Sequence, residues 1–298
     1  MAVAELDIQQ TLTAREESQL EVLWRRFRKH RLALFGVFVI VFFSLSALSA
    51  PWVTSFDPTA IDLLDRSVAP GVNGHLLGTD ELGRDVFTRL LYAGRISLSV
   101  AFITTILSQT IGLVIGAISG YYGGVIDALL MRFVDFMLTI PTLPILLVVS
   151  AILGKGGGPW LIIGILTVFG WMGAARLLRG MILSLKEQEF TEASKALGAG
   201  DFRIITRHLI PNAIAPIIVS ATLYVGEVII IEAILSFLGF GIQPPTPTWG
   251  QMLQNVQHDM FTAPWKAFFP GFMIFMTSLS FNFIGDGLRD ALDPRLKL

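Results

Sequence analysis

Residues 32–52 read LALFGVFVIVFFSLSALSAPW, 21 residues without a single charge. A bilayer hydrocarbon core about 30 Å thick needs roughly 20 apolar residues of helix to cross it. The stretch is therefore long enough to be a membrane span. Working outward from it, comparable runs recur at 96–120, 133–153, 159–175, 213–241 and 267–285. The expectation is an all-α polytopic membrane protein of six transmembrane helices, the fourth short and the fifth long. Composition agrees. Of 298 residues, 53% are hydrophobic and 15% charged, against about 25% charged in a soluble domain. The chain has no cysteine, which excludes a disulfide scaffold, a thiol nucleophile and a Cys-ligated metal. Its net charge of −1 gives no basic field for nucleic acid.

A cleaved signal peptide is the alternative reading of the first span. It fits poorly, because the preceding 31 residues are long and mixed in charge, with Glu16, Glu17 and Glu21 beside Arg25, Arg26 and Arg28. Orientation follows from Lys and Arg. Residues 1–31 carry six, Arg132 one, 176–207 six and 289–297 three, 16 on one side; six fall on the other. Both termini are thus expected in the cytoplasm of a multi-pass protein of a bacterial or archaeal plasma membrane. The chain divides into an N-terminal segment 1–31, a six-helix domain 32–285 and a tail 286–298. Within the first of these, Leu20, Leu23, Trp24 and Phe27 recur at helical spacing among bases. That pattern suits an amphipathic helix on the inner leaflet, or simply a solvated basic flank.

Within the spans, glycines recur every four residues at Gly112, Gly116 and Gly120, a stripe that lets two helices approach closely. It does not say whether the partner helix is in this chain. Pro141 and Pro144 interrupt the third span and kink it, and broken helices often border substrate paths. Glu227 and Glu232 are the acids deep in a span, each costing about 2.5–3.5 kcal/mol at the bilayer centre. Fifteen Ile, Leu, Val and Phe in 213–241 offset that cost. The two acids either line a pathway or make interhelical hydrogen bonds, and at five residues apart they do not share one narrow face.

The segment 176–211 does not read as a disordered loop. Residues 187–197 are strong helix formers, Gly198, Ala199 and Gly200 interrupt them, and Asp201 is placed to cap a second helix. Phe202, Ile205 and Leu209 would form one face of that helix, with Arg203 and Arg207 on another, until Pro211 closes the segment. The product is a helical hairpin outside the membrane with an apolar ridge in need of a partner.

Glu192-Ala193-Ser194, then Gly198 after three intervening residues, then His208, Ile210 and Pro211, resembles the EAA loop of ATP-binding cassette (ABC) importer permeases. Ser194, His208 and Ile210 depart from the pattern, while Glu192, Ala193, Gly198 and Pro211 keep its spacing. Further motifs are similar to the peptide/nickel branch of that family: His75-Leu-Leu-Gly-Thr-Asp80-Glu-Leu-Gly-Arg-Asp85, Arg95-Ile-Ser-Leu, Glu232-Ala-Ile-Leu-Ser-Phe-Leu-Gly, Gln243-Pro-Pro-Thr-Pro-Thr-Trp-Gly and the run from Phe281 to Pro294. Within the branch the chain resembles the second, C-type, of two paired permease subunits, from about residue 20 to the end. The resemblance implies a type I importer fold and a coupling role for Glu192, Ala193, Ser194, Gly198, Asp201, Phe202, Arg203 and Pro211. It also implies a second permease subunit, two cytoplasmic ATPases that hold ATP and magnesium, and an external binding protein docking on 53–95 and 242–264. Di- or oligopeptide is the implied cargo, with a nickel chelate as the alternative and a self-sufficient proton-coupled transporter as a more distant one. No cofactor is expected in this chain. It has no phosphate-binding Gly-x-x-x-x-Gly-Lys-Ser/Thr and no His-Glu-x-x-His, and Phe283 spoils a Gly-x-Gly-Asp motif, so no enzyme activity is expected of it.

Overall fold

The computed structural model describes residues 19–153, 158–254 and 256–292. Helix α1 (Gln19–Lys29) is followed at once by α2 (Arg31–Val53). His30 separates them: its backbone is extended and its Nδ1 accepts a hydrogen bond from the Ala33 N–H at 3.0 Å, capping α2. Leu23 and Phe27 of α1 pack with Ala33, Leu288 and Ala291, the last two from the C-terminal helix α12 (Trp265–Leu292). Of the apolar stripe expected in the N-terminal segment, Leu23 and Phe27 are thus spent on the protein itself, while Trp24 stays exposed.

The central element is α3 (Val86–Tyr122), which packs on α2, on α6 (Pro159–Gly170), on α7 (Met172–Leu185) and on α10 (Ile210–Phe237). Its glycine stripe meets α7 of the same chain. A Cβ at Gly112 would lie 2.6 Å from the Ala174 Cβ, one at Gly116 2.5 Å from the Ala175 carbonyl, and one at Gly120 2.8 Å from the Ile182 Cβ. The expected second span, 96–120, is only the later part of this 37-residue helix.

The expected third span is broken. α4 (Gly124–Thr139) and α5 (Thr142–Leu153) meet at 84°. The cause is local: the residue before a proline is pushed out of the helical region, and Ile140, preceding Pro141, has ψ 126°. α6 and α7 together make one apolar span, Pro159–Leu185, longer than the expected 159–175. Among the described residues five helices are long and apolar enough to cross a membrane, and the bent pair brings the number to six.

Segment 54–85 folds into a cap at the end of the bundle where α2 ends and α3 and α12 begin. Asp85 Oδ2 accepts from the Thr88 N–H at 2.7 Å and caps α3, while its Oδ1 lies 2.9 Å from His75 Nδ1. Arg84 Nε donates to Asp80 at 2.7 Å. Arg89, 1% exposed, donates to the Pro58 carbonyl at 2.9 Å and to Gln251 Oε1 at 2.8 Å, with Asp80 3.5 Å away. Trp249 is fully buried and its indole N–H donates to the Leu90 carbonyl. Lys266 Nζ donates to Ser67 and to Asp259, and chiefly this hydrogen bond holds the Asp259 carboxyl below the usual carboxylate range. The motif running from His75 to Asp85 is therefore the frame of the cap.

Candidate coupling hairpin and central cavity

At the opposite end, α8 (Glu189–Ala196) and α9 (Asp201–Ile204) form the hairpin. The turn is a Schellman motif: the Gly198 N–H donates to the Lys195 carbonyl at 2.9 Å and the Ala199 N–H to the Ser194 carbonyl at 3.1 Å. This closure requires a left-handed residue, and Gly198 has φ +78°. Ser194 Oγ also donates to the Phe190 carbonyl within α8. Glu192 and Ala193 stand exposed on α8, as does Arg203 on α9.

Asp201 does not cap α9 as expected. Gly200 occupies the cap position and Asp201 opens the helix itself, its carboxylate accepting from the Tyr121 hydroxyl at 2.7 Å. Lys195 lies over the Tyr121 ring at 5.8 Å, so both arms of the hairpin are pinned to the end of α3. The expected apolar face also divides. Phe202 is 81% exposed, whereas Leu209 and Ile204 are fully buried with Ala117, Leu178 and Ile182. The phase changes because Ile205–Leu209 is a π-turn, in which the Ile210 N–H reaches back to the Ile205 carbonyl. A wider turn advances less than the 100° per residue of an α-helix. The turn immediately precedes Pro211, which lacks an N–H and whose ring crowds the preceding carbonyls. The exposed ridge is consequently Leu197, 89% exposed, and Phe202. Pro211 ends nothing: Asp201–Phe237 runs on as one 37-residue helix.

That helix leads to a cavity of about 1030 Å³ between α3, the α4–α5 break, α6, α7, α10 and α12. Its lining extends from Gln109 and Ile231 to Arg289 and Leu292, and includes no residue of the cap. Glu227 lines it. Glu232 does not: it is 2% exposed, and its Oε1 accepts from the Ser236 hydroxyl at 2.7 Å and the Thr248 hydroxyl at 2.9 Å. Pro141 and Pro144 flank Thr142, which lines the cavity at the helix break, but neither proline lines it itself. Sequence reasoning missed Gln109, Tyr224, Asp286 and Arg289. A signal existed for two of them, since Gln109 is a polar residue within an expected span and Tyr224 precedes Glu227 by one helical turn.

On this architecture, a bundle with a helical hairpin at one end and a folded cap at the other, the class is that of an integral-membrane transport subunit. The chain belongs to the family of binding-protein-dependent transport system inner membrane components, whose profile matches residues 112–298. Residues 18–70 match the N-terminal transmembrane domain of oligopeptide transport permease C. It is a permease subunit of an ABC transporter, a non-catalytic component. The dipeptide transport system permease protein DppC of Bacillus subtilis is 42% identical over 92% of this chain and 85% of its own length. The oligopeptide permease OppC of the same organism is 39% identical over 92% and 90%. DppC of Haemophilus influenzae is 38% identical over 96% and 98%. Among solved structures, an inward-facing form of the MetNI methionine ABC transporter covers 69% of this chain and 97% of its own, with 22% identity and a TM-score of 0.51. At that identity the likeness is one of fold.

Proposed function

We propose that this subunit, paired with a second permease chain, imports di- or oligopeptides handed over by an extracytoplasmic binding protein, driven by two cytoplasmic ATPases that bind ATP and magnesium. The observation that carries the reading is the hairpin. Its two large apolar side chains, Leu197 and Phe202, are exposed on a turn held rigidly by the Schellman closure and by Tyr121. An apolar ridge of this kind, rimmed by Glu192 and Arg203, suits insertion into a groove of a soluble ATPase. The hairpin end then faces the cytoplasm, consistent with the excess of bases there and with both termini on that side. Because α9 runs through into α10, a displacement of the ridge moves the helix that carries Glu227. ATP-driven closure acts on the cavity only so far as the ATPase grips the hairpin differently in its two states. The peptide cargo rests on the names of the relatives.

Gly198→Pro tests the coupling. Proline fixes φ near −65° and removes the N–H that closes the turn. The expected outcome in proteoliposomes is ATP hydrolysis by the assembled complex with peptide uptake lost. Uptake at the wild-type rate would count against the hairpin as the coupling element.

A further inference from the structure

Gln109 is 8% exposed, lines the cavity, and its Oε1 has no hydrogen-bond partner. A buried acceptor left unmet costs about 1–3 kcal/mol, but this oxygen is closed off from the cavity surface. Across from it on α10, Tyr224 and Glu227 are one turn apart and line the same cavity. Glu227 makes no ion pair or hydrogen bond with any described residue. The Tyr224 hydroxyl is held in place by close packing: a Cβ at Gly170 would fall 1.8 Å from it and 2.8 Å from Ser108 Oγ. Among the described residues the lining contains one cation, Arg289. Gly226 packs on Ser278 of α12, and Arg289 lies 11 residues further along that helix, about 16 Å at 1.5 Å per residue. It does not neutralise Glu227. Asp286, eight residues from Ser278, is about 12 Å away on the same reckoning.

Two acceptors one turn apart therefore line one cavity: a carboxylate and a phenol oxygen. Their complement is a compact cation with several N–H donors. A peptide with a free amino terminus carries one, since its α-amino group titrates at about 7.7–8.0 and is largely protonated at neutral pH. We propose that Glu227 and Tyr224 form a subsite for the α-ammonium group of the peptide in transit, replacing part of the water it loses on entering the bundle. The inference rests on the peptide reading above and adds the group by which the permease itself selects cargo. Leu138, Phe169, Val219 and Ile231 add apolar wall, and Asp286 and Arg289 lie further along α12.

The test uses the complete transporter in proteoliposomes with one binding protein throughout, so that the binding protein's own selectivity cancels between variants. Initial uptake of alanyl-alanine is compared with that of N-acetyl-alanyl-alanine. A charge-assisted hydrogen bond is worth enough to change the preference about tenfold or more. Glu227→Gln is expected to reduce the preference for the free amino terminus about tenfold, and Glu227→Asp to restore most of it. Tyr224→Phe, which removes only the hydroxyl, provides a second reading and is expected to lower the preference by a few-fold. An unchanged preference in both Glu227→Gln and Tyr224→Phe overturns the subsite alone. A wild-type transporter that takes up neither peptide overturns the cargo reading, and the subsite with it.

Discussion

Glu227 and Glu232 sit five residues apart in one helix and do opposite things. Glu227 faces the cavity unpaired, whereas Glu232 is sealed beneath the cap and holds two hydroxyls. One of these, Thr248, also accepts from the Gln251 N–H and so caps the short helix α11 (Trp249–Met252). Replacing Glu232 by Leu removes the acceptor and strands both donors, at about 1–3 kcal/mol for each buried group left unsatisfied. The purified complex should melt several degrees lower, and Glu232→Gln, which keeps a carbonyl oxygen, should lose less. Glu232→Leu melting at the wild-type temperature would contradict this assignment. The sequence shows two acids on different faces of an apolar helix. Ser236 is one turn along the same helix, but which face meets the cavity depends on Thr248 arriving from a loop, and helical spacing carries no information about that.

Helices were legible wherever hydropathy alone defines them, and illegible where backbone chemistry or the cap intervenes. The first ten residues of α3, Val86–Arg95, carry two arginines and read as loop, yet they are helical because the cap buries Arg89. Pro141 announces a break, but the 84° turn it permits depends on what α5 packs against. In the hairpin, the glycine turn was readable, whereas the π-turn that sends Leu209 inward and leaves Phe202 outward was not. The glycine stripe of α3 needed only its partner, which is α7. Gly116 gives the sharpest test. A valine there would press its Cβ to 2.5 Å from the Ala175 carbonyl, a backbone atom that cannot rotate away, so α3 and α7 must separate. The expected loss is about 1–3 kcal/mol, seen as a lower melting temperature and a reduced yield of assembled complex. Gly164→Ala is the control: nothing lies within 4 Å of the added methyl, and stability should hold or rise.

On the scale of the whole molecule, the bundle is asymmetric. The hairpin end exposes Leu197 and Phe202, while the cap end is interlocked. Arg89 is the centre of that interlock, joining α3 to Pro58 and Asp80 of the cap and to Gln251 of α11 through its one guanidinium. A second fastening, Lys266, ties α12 to Ser67 and Asp259. A rigid cap suits a surface that must keep its shape while α10 moves beneath it. Its cost is a buried cation, which is tolerable only while every donor is met. Arg89→Leu removes the cation and leaves Asp80 without its second arginine and the Pro58 carbonyl and Gln251 unpaired, while Lys266 and Trp265 still tie the 54–85 segment to α12. Removing one partner of a buried ion pair costs about 3–5 kcal/mol. At about 2–4 °C per kcal/mol for a chain of this order of size, the melting temperature should fall by roughly 10 °C. Hydrogen exchange should locate the damage. Amides of 58–85 and 248–252 are expected to lose protection, while those of α7 and the hairpin keep theirs. Uniform loss across the chain would instead mean that the cap and the bundle unfold as one unit, and that the cap is not a separate rigid body.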